Sequence, residues 1–340
     1  MFYQICIILL TLLLDNNPKL PEIKNTPTTS IIFRSEDHGA SWDDVSAGLP
    51  QKFDAWSIHA SNDEILLGYE QGLFRTDVVT PSILWQKEKL LKENINTIFS
   101  GPKGQYAVSF GNGVFQKKSG SEVWSPVFTT LEEKTILSIL ESKNGHIYVG
   151  CTSGILRSTD DGNTWEKVCH GEMITSLVEV DHILMGSSNK GIVRSEDNGK
   201  QWELVFTEDG QTNSLHLMNG QCFAISKGIS CKVENMENNM PEVNTIRKSD
   251  DGGKTWQPVF KNLAPFHYMF SMDENQSAER IIRDVAIKDN IIYCSIEKGV
   301  YRSADNGNTW ELVFPTSENS IFELAITQHA IYAIKVFRGC

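Results

Sequence analysis

Arg157–Trp165, "RSTDDGNTW", sets two carboxylates, a Gly and an Asn between an apolar run and a Trp. The pattern recurs as "RSEDHGASW" (34–42), "RSEDNGKQW" (194–202), "KSDDGGKTW" (248–256) and "RSADNGNTW" (302–310). Each copy reads Ser-x-Asp-x-Gly, with Trp three residues beyond the Gly. Worn copies, "FRTDVVTPSILW" and "FQKKSGSEVW", end at Trp85 and Trp124. The seven Trp residues (42, 85, 124, 165, 202, 256 and 310) lie 37 to 54 residues apart. A period near 40 built of short strands means a stacked or circular array.

The chemistry of the turn follows from its residue types. Asp37, Asp160, Asp197, Asp251 and Asp305 can accept hydrogen bonds from the N–H groups of their own turn. Gly39, Gly162, Gly199, Gly253 and Gly307 permit the positive φ of a chain reversal. Trp42, Trp165, Trp202, Trp256 and Trp310 open the next strand and offer a large apolar face between units. The carboxylates therefore staple a hairpin and the Trp locks it into a core. The Arg before the box (Arg34, Arg157, Arg194 and Arg302, with Arg75 in a worn copy) repeats with the scaffold. It is expected to pair with a carboxylate of its own or the next unit.

These copies resemble the Asp-box, or BNR repeat, of β-propellers, over about residues 30–340. Each unit divides into four strands. In the cleanest copy these are "ILSILES" from Ile136, "HIYVGC" from His146, "GILRS" from Gly154 and "TWEKV" from Thr164, with the Asp-box between the third and fourth. The repeating region opens on a third and fourth strand, "IIFRS" and "SWDDV". It finishes on a first and second, "IFELAIT" and "AIYAIKVF". The fold class is therefore all-β: a seven-bladed β-propeller of four-stranded antiparallel blades, its first blade closed by strands from both termini. Closing the ring removes exposed sheet edges. The domain layout reads as a signal-like or anchor segment (1–14), a Pro-rich linker (15–29) and the propeller (30–340).

Composition narrows the function. The chain has 340 residues, 40% hydrophobic, and a net charge of -12. That charge argues against nucleic-acid backbones and anionic lipid surfaces. The run Phe2–Leu14 is too short to span a bilayer comfortably and suits the apolar core of an export signal, although no Lys or Arg precedes it. An exported protein is the expectation, with an uncleaved anchor as the alternative. Of seven cysteines, Cys151, Cys222 and Cys294 fall in apolar strand patterns and read as small buried hydrophobes. A Cys222–Cys231 disulfide across a hairpin is possible. No CxxC, clustered His or calcium-loop pattern occurs, so neither metal nor cofactor is expected.

A site is sought at the channel mouth, where fourth strands lead into the next first strands. Aligned inner strands give a column: Ser57, Thr97, Ser138, Ser176, Ser214, Asp284 and Glu323. Small hydroxyls suit a crowded, wet rim, where water satisfies them. Asp284 and Glu323 break the pattern in neighbouring blades, and Arg283 adjoins Asp284. With Trp56 and Phe322 they could bind a polar ligand, or Arg283 could simply join two blades. The long stretch 260–280 carries Phe266, His267, Tyr268 and Phe270, as a partner surface or as a plug. The whole-chain pattern is similar to seven-bladed propellers of the photosystem II assembly-factor type, and more loosely to the sortilin type. That resemblance implies protein or peptide binding without catalysis, and the expectation for this chain is a monomer that captures a protein, peptide or glycan on its channel face. A BNR glycosidase is the competing reading, with Asp284 and Glu323 as its carboxylates. Sialidase-type enzymes are six-bladed and carry Phe-Arg-Ile-Pro, which does not occur here.

Overall fold

A computed structural model describes residues 23–24, 30–50, 53, 55–61, 64–78, 83–89, 91–109, 111–133, 135–207, 212–218, 220–226, 246–259, 282, 284–296, 299–305, 307–316 and 321–336. Seven antiparallel sheets form a ring, with no helix among the described residues. Each blade is a meander whose first strand is innermost. Blade 4 runs Ile136–Glu141, Ile147–Cys151, Gly154–Ser158 and Glu166–His170. The other inner strands are Ala55–Ala60, Ile95–Gly101, Ile174–Val180, Thr212–Met218, Asp284–Lys288 and Ile321–Ile326.

Blade 1 confirms the closure. Ile321–Ile326 and Ile331–Val336 supply its two inner strands, and Ile32–Ser35 and Trp42–Asp44 the next two. Ile32 pairs with Ile334, and Ser35 with Ile331. The sheet also gains an unforeseen fifth strand. Ile23–Lys24, inside the expected linker, pairs parallel with Trp42–Asp43.

Alternation along each strand buries side chains against both neighbouring blades. At the closure Phe33 and Trp42 from one end of the chain meet Phe322 from the other around Phe314 of blade 7. Trp42 stacks on Phe314 at 4.9 Å, and its Nε1 donates to the Val313 carbonyl at 3.0 Å. Cys151, Cys222 and Cys294 are buried free thiols, as the strand patterns implied. Burial pushes the Cys222 thiol up to about 12. Cys231 lies outside the described residues.

Trp42 is 1% exposed and joins both ends of the chain to blade 7. Trp42→Ala should cost about 3–5 kcal/mol of unfolding free energy, as large-to-small changes in aromatic cores do. Urea denaturation measures it. A cost below about 1 kcal/mol would mean that the latch lies elsewhere.

Candidate functional site

The five boxes share one set of bonds. In blade 4, Asp160 Oδ1 accepts from Ser158 Oγ at 2.8 Å and from Thr164 N at 2.8 Å, and Oδ2 accepts from Thr164 Oγ1 at 2.6 Å. Ser158 Oγ in turn accepts from Gly162 N at 2.8 Å. Blade 6 repeats it through Ser249, Asp251, Gly253 and Thr255. Blade 7 does so through Ser303, Asp305, Gly307 and Thr309. Blade 1 uses Ser35, Asp37, Gly39 and Ser41. Blade 5 puts Gln201 at the hydroxyl position and keeps only its backbone bond. The Thr255 hydroxyl, then its N–H, holds the Asp251 carboxyl down at about 2, and the Thr309 N–H and hydroxyl do the same for Asp305.

The preceding Arg does more than find a carboxylate. Arg157 binds Glu166 at 2.7 Å, and Arg302 binds Glu311 at 2.9 Å. Each also reaches the next blade's box. Arg157 donates to Asn198 O at 3.1 Å, Arg194 Nε to Gly252 O at 2.7 Å, and Arg302 to His38 O at 2.7 Å. The accepting residue always precedes the box Gly and has positive φ. That backbone turns its carbonyl out toward the neighbouring blade. Arg194, 2% exposed, also contacts Glu196 and Glu203. These guanidinium groups are committed to the scaffold and form no anion ring.

The inner-strand column keeps one register. Ser57 lies opposite Gly68, Ser138 opposite Gly150, Ser176 opposite Ser187, Asp284 opposite Ser295 and Glu323 opposite Ile334. A bulge precedes Ser57, Thr97, Ser138, Ser176 and Ser214. The expected wet rim is corrected here. Ser57 and Ser138 are buried, and strand alternation turns this position toward the next blade. Ser176 Oγ accepts from Leu215 N at 3.2 Å, and Asp284 Oδ2 accepts from Leu324 N at 2.7 Å. Asp284 Oδ1 accepts from its neighbour, Val285 N, at 2.9 Å.

Asp284 and Glu323 do come together, on adjacent inner strands. They line a cavity of about 390 Å³ with Ile58, His216 and Leu217, so four inner strands contribute to it. No sequence signal pointed to His216 or Leu217. Phe322 does not join them: it is 3% exposed within the closure core. Trp56, the bulge residue of its strand, is 38% exposed. Arg283, Phe266, His267, Tyr268 and Phe270 lie outside the described residues. A second set of stitches also escaped the sequence. Glu141, three residues beyond the column, accepts from Lys103 N at 2.8 Å and from the Tyr106 hydroxyl of blade 3. Glu179, at the same position, accepts from Lys143 N at 2.7 Å.

Residues 247–258 match the BNR/Asp-box repeat family. Comparison with curated proteins gave no significant sequence match. Among solved structures, one of YCF48 bound to D1 peptide is similar with TM-score 0.57 and 15% identity, over 94% of this chain and 100% of that one. An ancestral GH74 enzyme is similar with TM-score 0.52 and 13% identity, over 90% of this chain and 53% of the enzyme. The extracellular domain of a one-component system from B. thetaiotaomicron gives TM-score 0.52 and 12% identity, over 91% of this chain and 50% of that one. The chain thus spans about half the length of the latter two, and at these identities the likeness is one of fold.

The box carboxylates make stability depend on acid. A carboxyl titrating at about 2 when folded and at the ordinary 3.8 when unfolded favours the fold in its ionised form. That contribution is complete above about pH 4 and is lost as pH falls toward 2. The urea midpoint should therefore drop between pH 4.5 and 2.5, and Asp251→Asn should flatten that drop. An unchanged slope in the variant would remove Asp251 from the account.

Proposed function

On a seven-bladed ring of Asp-box repeats, we propose a non-catalytic binding propeller that captures a segment of a protein partner at the channel mouth. The exposure of Trp56 carries this reading. All eight Trp residues are described, and each of the other seven is buried or partly buried. Trp56 sits at the bulge near the start of an inner strand, where blades meet the channel. An exposed Trp is the kind of anchor that concentrates binding energy. In sequence, the 260–281 stretch falls between the last strand of blade 6 and the inner strand of blade 7 and carries Phe266, His267, Tyr268 and Phe270. The peptide-bound state of YCF48, a propeller of matching extent, supports a peptide as the occupant.

Asp284 argues against the hydrolase reading. Both of its oxygens accept backbone N–H groups, one of them across the blade boundary. General acid–base work needs a carboxyl that can gain and lose a proton while it faces substrate. Here the carboxylate joins blade 7 to blade 1.

Peptides selected from a random phage library should lose about 2 kcal/mol, roughly thirtyfold in Kd, on Trp56→Ala, with Tm unchanged. Equal affinity for the variant would overturn the proposed mouth. A fluorogenic glycoside panel should show no turnover. Turnover that Asp284→Asn abolishes while the fold persists would install the hydrolase instead.

A further inference from the structure

In the intact blades the box turn is pressed onto the blade before it. A methyl added at Gly162, Gly199 or Gly253 would collide with Phe128, Tyr148 or Met185 of the preceding blade. At Gly39 the fit is looser, with an added methyl 3.1 Å from Val313 of blade 7. Blade 3 breaks this rule. Its worn box, "KKSGSEVW", places Gly120 one position earlier and has Lys117 where the others have Ser. Gly120 has φ 77°, yet an added methyl there would meet nothing within 4 Å. One further consequence follows from the displaced turn. Between blades 2 and 3 a cleft of about 980 Å³ is left open on the box face.

The lining of that cleft mixes polar and apolar surface, with exposed Leu84 on its wall, and is balanced in charge. Lys117 Nζ, its side chain 9% exposed, binds Glu64 of blade 2 at 2.7 Å. Arg75 of blade 2 binds Glu122 of blade 3 at 2.6 Å, so it reaches a side chain where other blades reach a turn carbonyl. Lys118 and Asp77 add one charge of each sign. Serine hydroxyls and the amides of Gln86 and Gln105 complete the wall. Gln105 Oε1 is buried and without a partner.

This lining selects by exclusion. A charged ligand would have to compete with an ion pair that already exists. An apolar ligand would strip water from these groups without replacing its hydrogen bonds. A neutral ligand dense in hydroxyls meets both requirements, because each hydroxyl donates and accepts. The volume lies at the upper end of small-molecule pockets, so more than one sugar ring fits. We propose that the blade 2–blade 3 cleft is a saccharide site, opened by loss of the blade 3 Asp-box and separate from the channel mouth. One sugar hydroxyl donates to Gln105 Oε1, while the Arg75–Glu122 and Lys117–Glu64 pairs supply donors and acceptors on either side.

The test titrates maltose, cellobiose, lactose and chitobiose into the full chain, by calorimetry and saturation-transfer NMR, up to about 10 mM, above the millimolar Kd of a marginal site. Two variants probe the cleft. Ser119→Trp fills it from an exposed rim, and Gln105→Leu removes the unpartnered acceptor. With Tm unchanged, each should weaken binding by about tenfold or more, while Trp56→Ala leaves it intact. The site is overturned if no disaccharide binds the wild type, or if bound sugar ignores both cleft variants. Loss on Trp56→Ala alone would equally overturn it, by moving the sugar to the channel. The peptide result at Trp56 is independent of all these outcomes.

Discussion

The structure depends on a turn that serves two blades at once. Within its own blade the box Asp gathers a serine hydroxyl, a backbone N–H and, in four copies, a second hydroxyl. That network holds the turn in one shape, with a left-handed residue before the Gly. The shape presents a carbonyl to the Arg of the preceding blade and lays the Gly against its side chains. Only Gly fits such an approach without displacing a neighbour. A local hydrogen-bond pattern thus becomes a contact between blades, repeated around the ring.

Inner strands add two further sets of contacts. One side-chain position reaches forward to the next blade, as Ser176 and Asp284 do. The position three residues on reaches back, as Glu141 and Glu179 do. Opposite directions at odd spacing are what a period of two demands. Two residues that look like a channel lining in an alignment, Ser176 and Asp284, are therefore bonded between blades. Asp284 is the instructive case, because the geometry that places it beside the cavity also occupies both its oxygens.

Where the repeat is worn, the same logic runs in reverse. Without a box, the blade 3 turn has no Asp network to shape it and no Gly to press backward, and the interface beneath it stays open. Charged pairs replace backbone contacts there: Lys117 with Glu64, and Arg75 with Glu122. Closure between the two ends of the chain is strong by contrast. It combines a four-residue strand pairing with the Phe33, Trp42, Phe314 and Phe322 cluster.

The sequence by itself determined the blade count, the strand order and the closure, because each is written in local signals that repeat: the Asp, the Gly, the Trp and the half-blades at each end. It also located the column to the residue, since the repeat aligns every inner strand. It could not say which way that column faces. That depends on bulges such as those before Ser57 and Ser138, which an alignment does not register. The Ile23–Lys24 strand was invisible for a similar reason, being only two residues held by pairing with Trp42–Asp43. Phe322 and Trp56 differ in exposure although the alignment gives them the same position. Tertiary structure alone decided this, because burial is set by what the neighbouring blade offers, and only the closure offers Phe33 and Phe314.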